Sequence, residues 1–268
     1  MKIAIAGRGG VGKTTLCALL AETYAQRGRD VLAVDMDPSP SLAEALAIPD
    51  EVRSSLRPIS EMDELIEERT GAKPGTSGAF FTLNPRADDI PDRFSILQRG
   101  VRLLEMGSVG SGGAGCICPE SAMLRSLFTQ LLFRHDEVLL LDMYAGVEHL
   151  GRATVDFVDA LVIVATPTRP SLTAADQIEK MAGDIGLTRI RLVGNRVRND
   201  EDLAYLQGAA TEGRFLGHLP DDPSAIEAGR RGDAIYEAAP SLRRAAADVA
   251  DALDRLVGSS EPLAGGAR

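Results

Sequence analysis

The chain is short of positive charge: 29 lysines and arginines face 39 aspartates and glutamates, a formal balance of −10. A field of that sign repels polyanions unless a local basic patch overrides it, so nonspecific DNA binding is disfavoured. Long apolar runs are also lacking, and none approaches the ~20 residues needed to cross a bilayer. A strand pattern begins at Lys2, with no charged leader, long apolar segment or cleavage site ahead of it. These absences predict a cytoplasmic protein with neither a membrane nor a nucleic-acid partner. Cysteine is scarce: three residues cannot all pair within one chain, and a reducing compartment keeps them as thiols. No internal repeat is present.

What the sequence does hold is the composition of an ordinary folded protein, 44% hydrophobic and 25% charged over 268 residues, enough for one sizeable α/β domain. Short apolar runs at 2–6, 31–35, 101–106, 137–142, 160–165, 190–194 and 215–219 read as strands. Several are apolar throughout, as strands covered on both faces must be. Helical patterns fall between them at 13–27, 119–133, 171–185, 201–208 and 224–231, with a last one at 241–256. This alternation predicts a P-loop-type α/β fold, a mainly parallel twisted sheet with helices on both faces. Residues 49–100 break the rhythm with a helix at 61–69 and the Gly/Pro-punctuated GAKPGTSG. They carry too few apolar residues for a core of their own and read as an insertion within a single domain spanning 1–257. The tail, 258–268, is small and polar and reads as disordered.

Residues 7–14, GRGGVGKT, satisfy G-x-x-x-x-G-K-[ST] between a predicted strand and a predicted helix, which is the context the motif needs. The pattern points to ATP or ADP with Mg²⁺. Gly9, Gly10, Val11, Gly12, Lys13, Thr14 and Thr15 form the cradle, in which glycines let backbone N–H groups turn toward phosphate oxygens. The following helix start adds partial positive charge. Lys13 would reach the β- and γ-phosphates, and the Thr14 hydroxyl would complete the Mg²⁺ shell. Asp35, Asp37 and Asp142 follow apolar strands, at the sheet edge where open α/β sheets bind ligands. Asp142 would hold Mg²⁺ through water and Asp37 would orient an attacking water. Either carboxylate taken alone would equally suit a helix cap.

The strings GRGGVGKTT, VDMDPSPSLAEAL, CICPE, LLLDMYAGVEHLGR and VGNRVRN resemble the MinD/ParA/nitrogenase-iron-protein superfamily of deviant Walker A ATPases. More narrowly they resemble the CooC family, ATPases that assist nickel insertion into carbon monoxide dehydrogenase. The likeness runs over about residues 1–233 and includes the insertion. It implies a homodimer that closes around two ATP molecules, with the loop after Asp35 as switch I and residues 142–146 as switch II. It also implies that Asn195 and Arg196 contact adenine, although Asn195 read locally suits a strand-end turn. Two positions depart from the family pattern. Arg8 replaces the signature lysine that reaches across the dimer, keeping the charge but changing its geometry to that of an arginine finger. Tyr144 stands where CooC-like switch II segments commonly carry an acidic residue.

Cys116 and Cys118 flank Ile117 and precede Pro119, well placed to open a helix. Two sulfurs are half of a four-ligand set for Zn²⁺ or square-planar Ni²⁺, so two chains would complete a metal site bridged between protomers. The resemblance implies the same, with apo carbon monoxide dehydrogenase as client. Taken alone, a C-x-C pair would equally suit incidental loop thiols. Cys17 falls within a helix and reads as core, His135 and His218 read as structural, and His149, within the switch II segment, reads as a solvated helix-start histidine rather than a sensor of nucleotide state. Two rivals remain. A MinD/ParA-like positioning ATPase would need a basic amphipathic C-terminal helix or DNA affinity, and the last predicted helix is acid-leaning. A reductase component like the nitrogenase iron protein would need two ligand cysteines far apart in sequence.

Overall fold

Strands that are apolar at every position need cover on both sides, and that demand organises the molecule. The computed structural model describes residues 1–75, 80–107, 118–133, 137–144 and 157–258. Its strands are β1 (Lys2–Ala6), β2 (Val31–Asp35), β3 (Ile96–Gln98), β4 (Val101–Glu105), β5 (Val138–Asp142), β6 (Ala160–Ala165), β7 (Ile190–Val197) and β8 (Phe215–Pro220). They form one sheet in the order β3-β4-β2-β5-β1-β6-β7-β8, every neighbouring pair parallel except β3 with β4. The fold class expected from the alternation is thus observed.

The helices are α1 (Lys13–Gln26), α2 (Leu42–Ala45), α3 (Asp50–Arg53), α4 (Asp63–Thr70), α5 (Ile90–Phe94) and α6 (Pro119–Phe133), then α7 (Arg169–Asp184), α8 (Asp200–Ala209), α9 (Pro223–Arg231), α10 (Ile235–Ala238) and α11 (Pro240–Gly258). Side chains alternate across a strand, so each central strand feeds two cores. Ala4, Leu32, Val34, Leu139 and Leu141 face a cluster with α4, α6, α7 and α8. Ile3, Ile5, Ala33 and Leu140 face the other, built with α1, α2, α10 and α11. Ile59, Leu65, Ile66 and Ile90, from the stretch between β2 and β4, join the first cluster.

The strands depart most from the sequence expectation at β3 and at the end of β7. β3 departs from the expectation because its three residues form a short sheet edge, with Ile96 and Gln98 half-buried and Leu97 exposed, too brief for a strand-length apolar run. The local signal lies in the turn after it: Arg99 and Gly100 both have positive φ, 51° and 83°, as a two-residue hairpin turn requires. β7 runs three residues beyond Gly194 through an irregular register with β8, so Asn195 and Arg196 belong to the strand's irregular end.

Candidate nucleotide site

The loop between β1 and α1 rises at the carboxyl end of the central strand, flanked by β5 and β6. Gly7 has φ 151°, and a Cβ there would stand 2.6 Å from the Val164 carbonyl oxygen, so only glycine lets the chain leave β1 this close to β6. Gly12 has φ 98° and is the N-cap of α1. That helix start has no side-chain cap and no acidic residue in its first turn. Its N–H groups and positive dipole end are left for an anion. Lys13 is buried, with Nζ 3.5 Å from the Arg8 carbonyl oxygen, which also accepts from Val11 N at 3.4 Å. The side chain thus folds back over the loop, while Arg8 itself is exposed.

Asp35 and Asp142 are partners in register on β2 and β5. Asp35 is fully buried and satisfied: Oδ1 accepts from Asp37 N at 3.0 Å, and Oδ2 from Ser41 N at 2.8 Å and Leu42 N at 2.9 Å. Burial raises its pKa and these three N–H groups oppose the rise. Its carboxylate therefore shapes the loop that carries Asp37, whose own Oδ1 accepts from Ser39 N at 2.9 Å. Ser41, which sequence reasoning passed over, stands at the N-cap position of α2 without capping it by its side chain, and its hydroxyl instead donates to Thr14 Oγ1 at 3.4 Å, joining this loop to the P-loop. Its signal was a serine standing immediately before the apolar-periodic LAEAL.

Asp142 is 2% exposed, and neither of its oxygens has a hydrogen-bond partner. Burial pushes its pKa up to about 7, opposed by the neighbouring Thr14 hydroxyl, reinforced by Asp35 and opposed again by Lys13. An orphaned buried carboxylate beside a hydroxyl fits a hard, oxygen-ligated dication such as Mg²⁺. No group of three His, Cys, Asp or Glu side chains suited to a metal occurs among the described residues.

The P-loop and the loop after β2 meet at a cavity of about 420 Å³, lined by Gly9, Gly10, Gly12, Lys13, Thr14 and Thr15 together with Asp37, Ser41, Tyr144 and Arg196. The size suits a small-molecule ligand. A second cavity of about 710 Å³ shares Thr14, Thr15 and Ser41 with the first and extends between α2–α3 and α9–α10, past Ile48, Gly232 and Ile235. Arg196 is exposed on the wall of the first cavity. Asn195 is buried behind the loop, its Nδ2 donating to the Val11 carbonyl at 2.7 Å and its Oδ1 accepting from Arg196 N at 2.8 Å.

Cys118 is a free, half-buried thiol just before α6, its Sγ 3.2 Å from Ser121 Oγ and accepting from Ser121 N at 3.5 Å. Cys116, His135, His149, residues 145 and 146 of the expected switch II, and the tail from residue 259 lie outside the described residues. Cys17 is fully buried, and burial pushes its thiol pKa well up, as expected of a core residue.

Residues 2–235 match the CobQ/CobB/MinD/ParA nucleotide binding domain. The carbon monoxide dehydrogenase accessory protein CooC of Rhodospirillum rubrum is 42% identical over 97% of this chain and 99% of its own. An uncharacterized ATP-binding protein of Methanocaldococcus jannaschii is 43% identical over 85% of this chain and 88% of its own. Among solved structures, the septum site-determining protein MinD of Pyrococcus horikoshii, complexed with Mg-ADP, superposes with a TM-score of 0.67 at 22% identity, over 96% of both chains. MinD in the MinC:MinD complex of Aquifex aeolicus gives 0.65 at 21% identity, over 97% of both. With its P-loop, its switch-like loop and its sheet order, the chain belongs to the CobQ/CobB/MinD/ParA nucleotide-binding family of P-loop ATPases and groups within it with the CooC proteins.

Proposed function

We propose that this ATPase is a homodimeric, Mg²⁺-dependent metallochaperone of the cytoplasm that assists nickel insertion into carbon monoxide dehydrogenase. The observation that carries this reading is the end-to-end match, 42% identical over 97% of one chain and 99% of the other, to a carbon monoxide dehydrogenase accessory protein. Residues 1–257 act as one domain with 49–100 as an insertion. ATP phosphates lie in the first cavity against the backbone of residues 9–15, with Lys13 toward the β- and γ-phosphates. Asp142 and the Thr14 hydroxyl hold Mg²⁺, which when bound neutralises charge on the phosphate oxygens. Asp37 orients the attacking water, and Asp35 fixes the loop that presents it. Thr15, shared by both cavities, lies where the nucleoside leaves the phosphate loop, and Arg196, on the wall of the first cavity, is the contact for the base. Arg8, exposed on the phosphate loop, reaches the phosphates of the partner protomer.

Nickel is the cargo. Cys116 and Cys118 from two protomers supply four thiolates, a set that Ni²⁺ takes in a square plane and Zn²⁺ in a tetrahedron. ATP binding closes the dimer and gathers the four sulfurs, and hydrolysis opens it and releases the metal to the client. The positioning-ATPase alternative is disfavoured by α11, whose apolar residues Leu242, Ala246, Val249, Ala250 and Leu253 are buried in the second core and unavailable to a membrane. Among the described residues no helix is long and apolar enough to cross one.

Activation of apo carbon monoxide dehydrogenase by nickel-loaded protein tests the reading. ATP should accelerate activation, and Asp37→Ala should bind ATP and nickel yet fail to accelerate it. Activation independent of ATP would contradict the proposal.

A further inference from the structure

Asn195 stands 184 residues from Val11 in sequence, and its side chain is built into the phosphate loop. Nδ2 gives a 2.7 Å hydrogen bond to the Val11 carbonyl oxygen, immediately before the Gly12–Lys13 pair that opens α1. The contact is close enough to dictate the next residue: a Cβ on Gly12 would lie 2.1 Å from Nδ2. The other end of the carboxamide is committed as well, since Oδ1 accepts from Arg196 N at 2.8 Å, where Arg196 has φ 58°. A backbone–side-chain bond of this kind locks the amide plane and so fixes which group faces Val11. The mounting is firm, because Gly194 packs against Leu206, at whose Cδ1 a Cβ would stand only 2.8 Å away. On the far side, Val197 accepts from Asp221 N at 2.9 Å. At 6% exposure Asn195 forms no part of the wall of either cavity, whereas its neighbour Arg196 does.

We infer that Asn195 is a positioning residue for the phosphate cradle: it ties the end of β7 to the loop and sets affinity for the diphosphate, and it does not select the base. This rests on the phosphates binding at the P-loop. Phosphate recognition by backbone N–H groups depends on holding them in one arrangement before the ligand arrives. Replacing Nδ2 by an oxygen places two acceptors face to face and pushes the loop away, while leaving the volume unchanged.

Calorimetric titration of the folded, full-length protein with Mg²⁺ and ADP, GDP or pyrophosphate separates a cradle role from base contact. Asn195→Asp should weaken all three ligands by a common factor of about ten or more, keeping the ADP/GDP ratio within about twofold of wild type. Asn195→Ala, which removes the bond without adding repulsion, should give the same pattern with a smaller loss. Thermal melts run alongside show that each variant is folded at the titration temperature. Loss of ADP affinity with pyrophosphate unchanged would assign Asn195 to the base and overturn the inference, as would unchanged affinity for all three. Wild-type protein that binds none of the three would instead overturn the P-loop assignment itself.

Discussion

Asp35 and Asp142 end adjacent strands in register, and their surroundings give them opposite tasks. Asp35 is held by three backbone N–H groups. Asp35→Asn removes the negative charge those groups share and sets an NH₂ against at least one of them, at a cost of about 2–3 kcal/mol. Urea denaturation should show that loss together with a fall in turnover, because Asp37 is presented by the same loop. Asp142 is unsatisfied, and its pKa is raised from 3.8 to about 7. In the folded state without ligand it binds a proton that the unfolded chain releases between these two values, so its contribution to stability falls as pH rises from about 4 to about 7. Above that window the buried charge is a standing penalty. Asp142→Asn should therefore stabilise the ligand-free protein at pH 8 by on the order of 1–3 kcal/mol, keep a clearly smaller advantage at pH 5, and abolish Mg²⁺-dependent hydrolysis. Melts of both proteins at the two pH values check the sign. A variant less stable than wild type at pH 8 would contradict it.

At the scale of elements, the parts that sequence made legible are those with strong local chemistry. The P-loop announced its own strand and helix, and α6 occupies Pro119–Phe133 as its pattern predicted. β3 departs from the sequence expectation because an edge strand needs few apolar residues, and β7 ends at Val197 rather than at residue 194 because its register shift leaves no trace in composition. Neither the contact of Asn195 with Val11 nor that of Ser41 with Thr14 could be read from spacing, since each joins segments far apart in the chain. The same holds for Gly7: the motif demands it, but the reason is the Val164 carbonyl on another strand. Gly7→Ala forces a 2.6 Å contact at a positive φ. It should cost about 2–4 kcal/mol and displace the loop. Melting temperature and ADP affinity should fall together. A fall in stability with ADP affinity intact would show that the loop tolerates displacement.

For the whole molecule, the two cores cover both faces of the central sheet, while the chemistry proposed for the cargo needs a second protomer. One chain offers a single C-x-C pair, and its mid-chain position, remote in sequence from the P-loop, gave no hint of how nucleotide state reaches it. Cys118 sits at the mouth of α6, whose far face packs in the same core as Leu141 beside Asp142. The net charge of −10 and the buried apolar face of α11 weigh against a DNA- or membrane-bound assembly, and the proposed metal-bridged dimer is open to direct test. The most direct measurement is metal content with sedimentation of wild type and the Cys116→Ala/Cys118→Ala double variant, each with Ni²⁺ or Zn²⁺ and with ADP or ATP. The account predicts about one metal per dimer, gained with ATP and lost in the variant. Metal binding that is absent, or that persists unchanged without the two thiols, would contradict it.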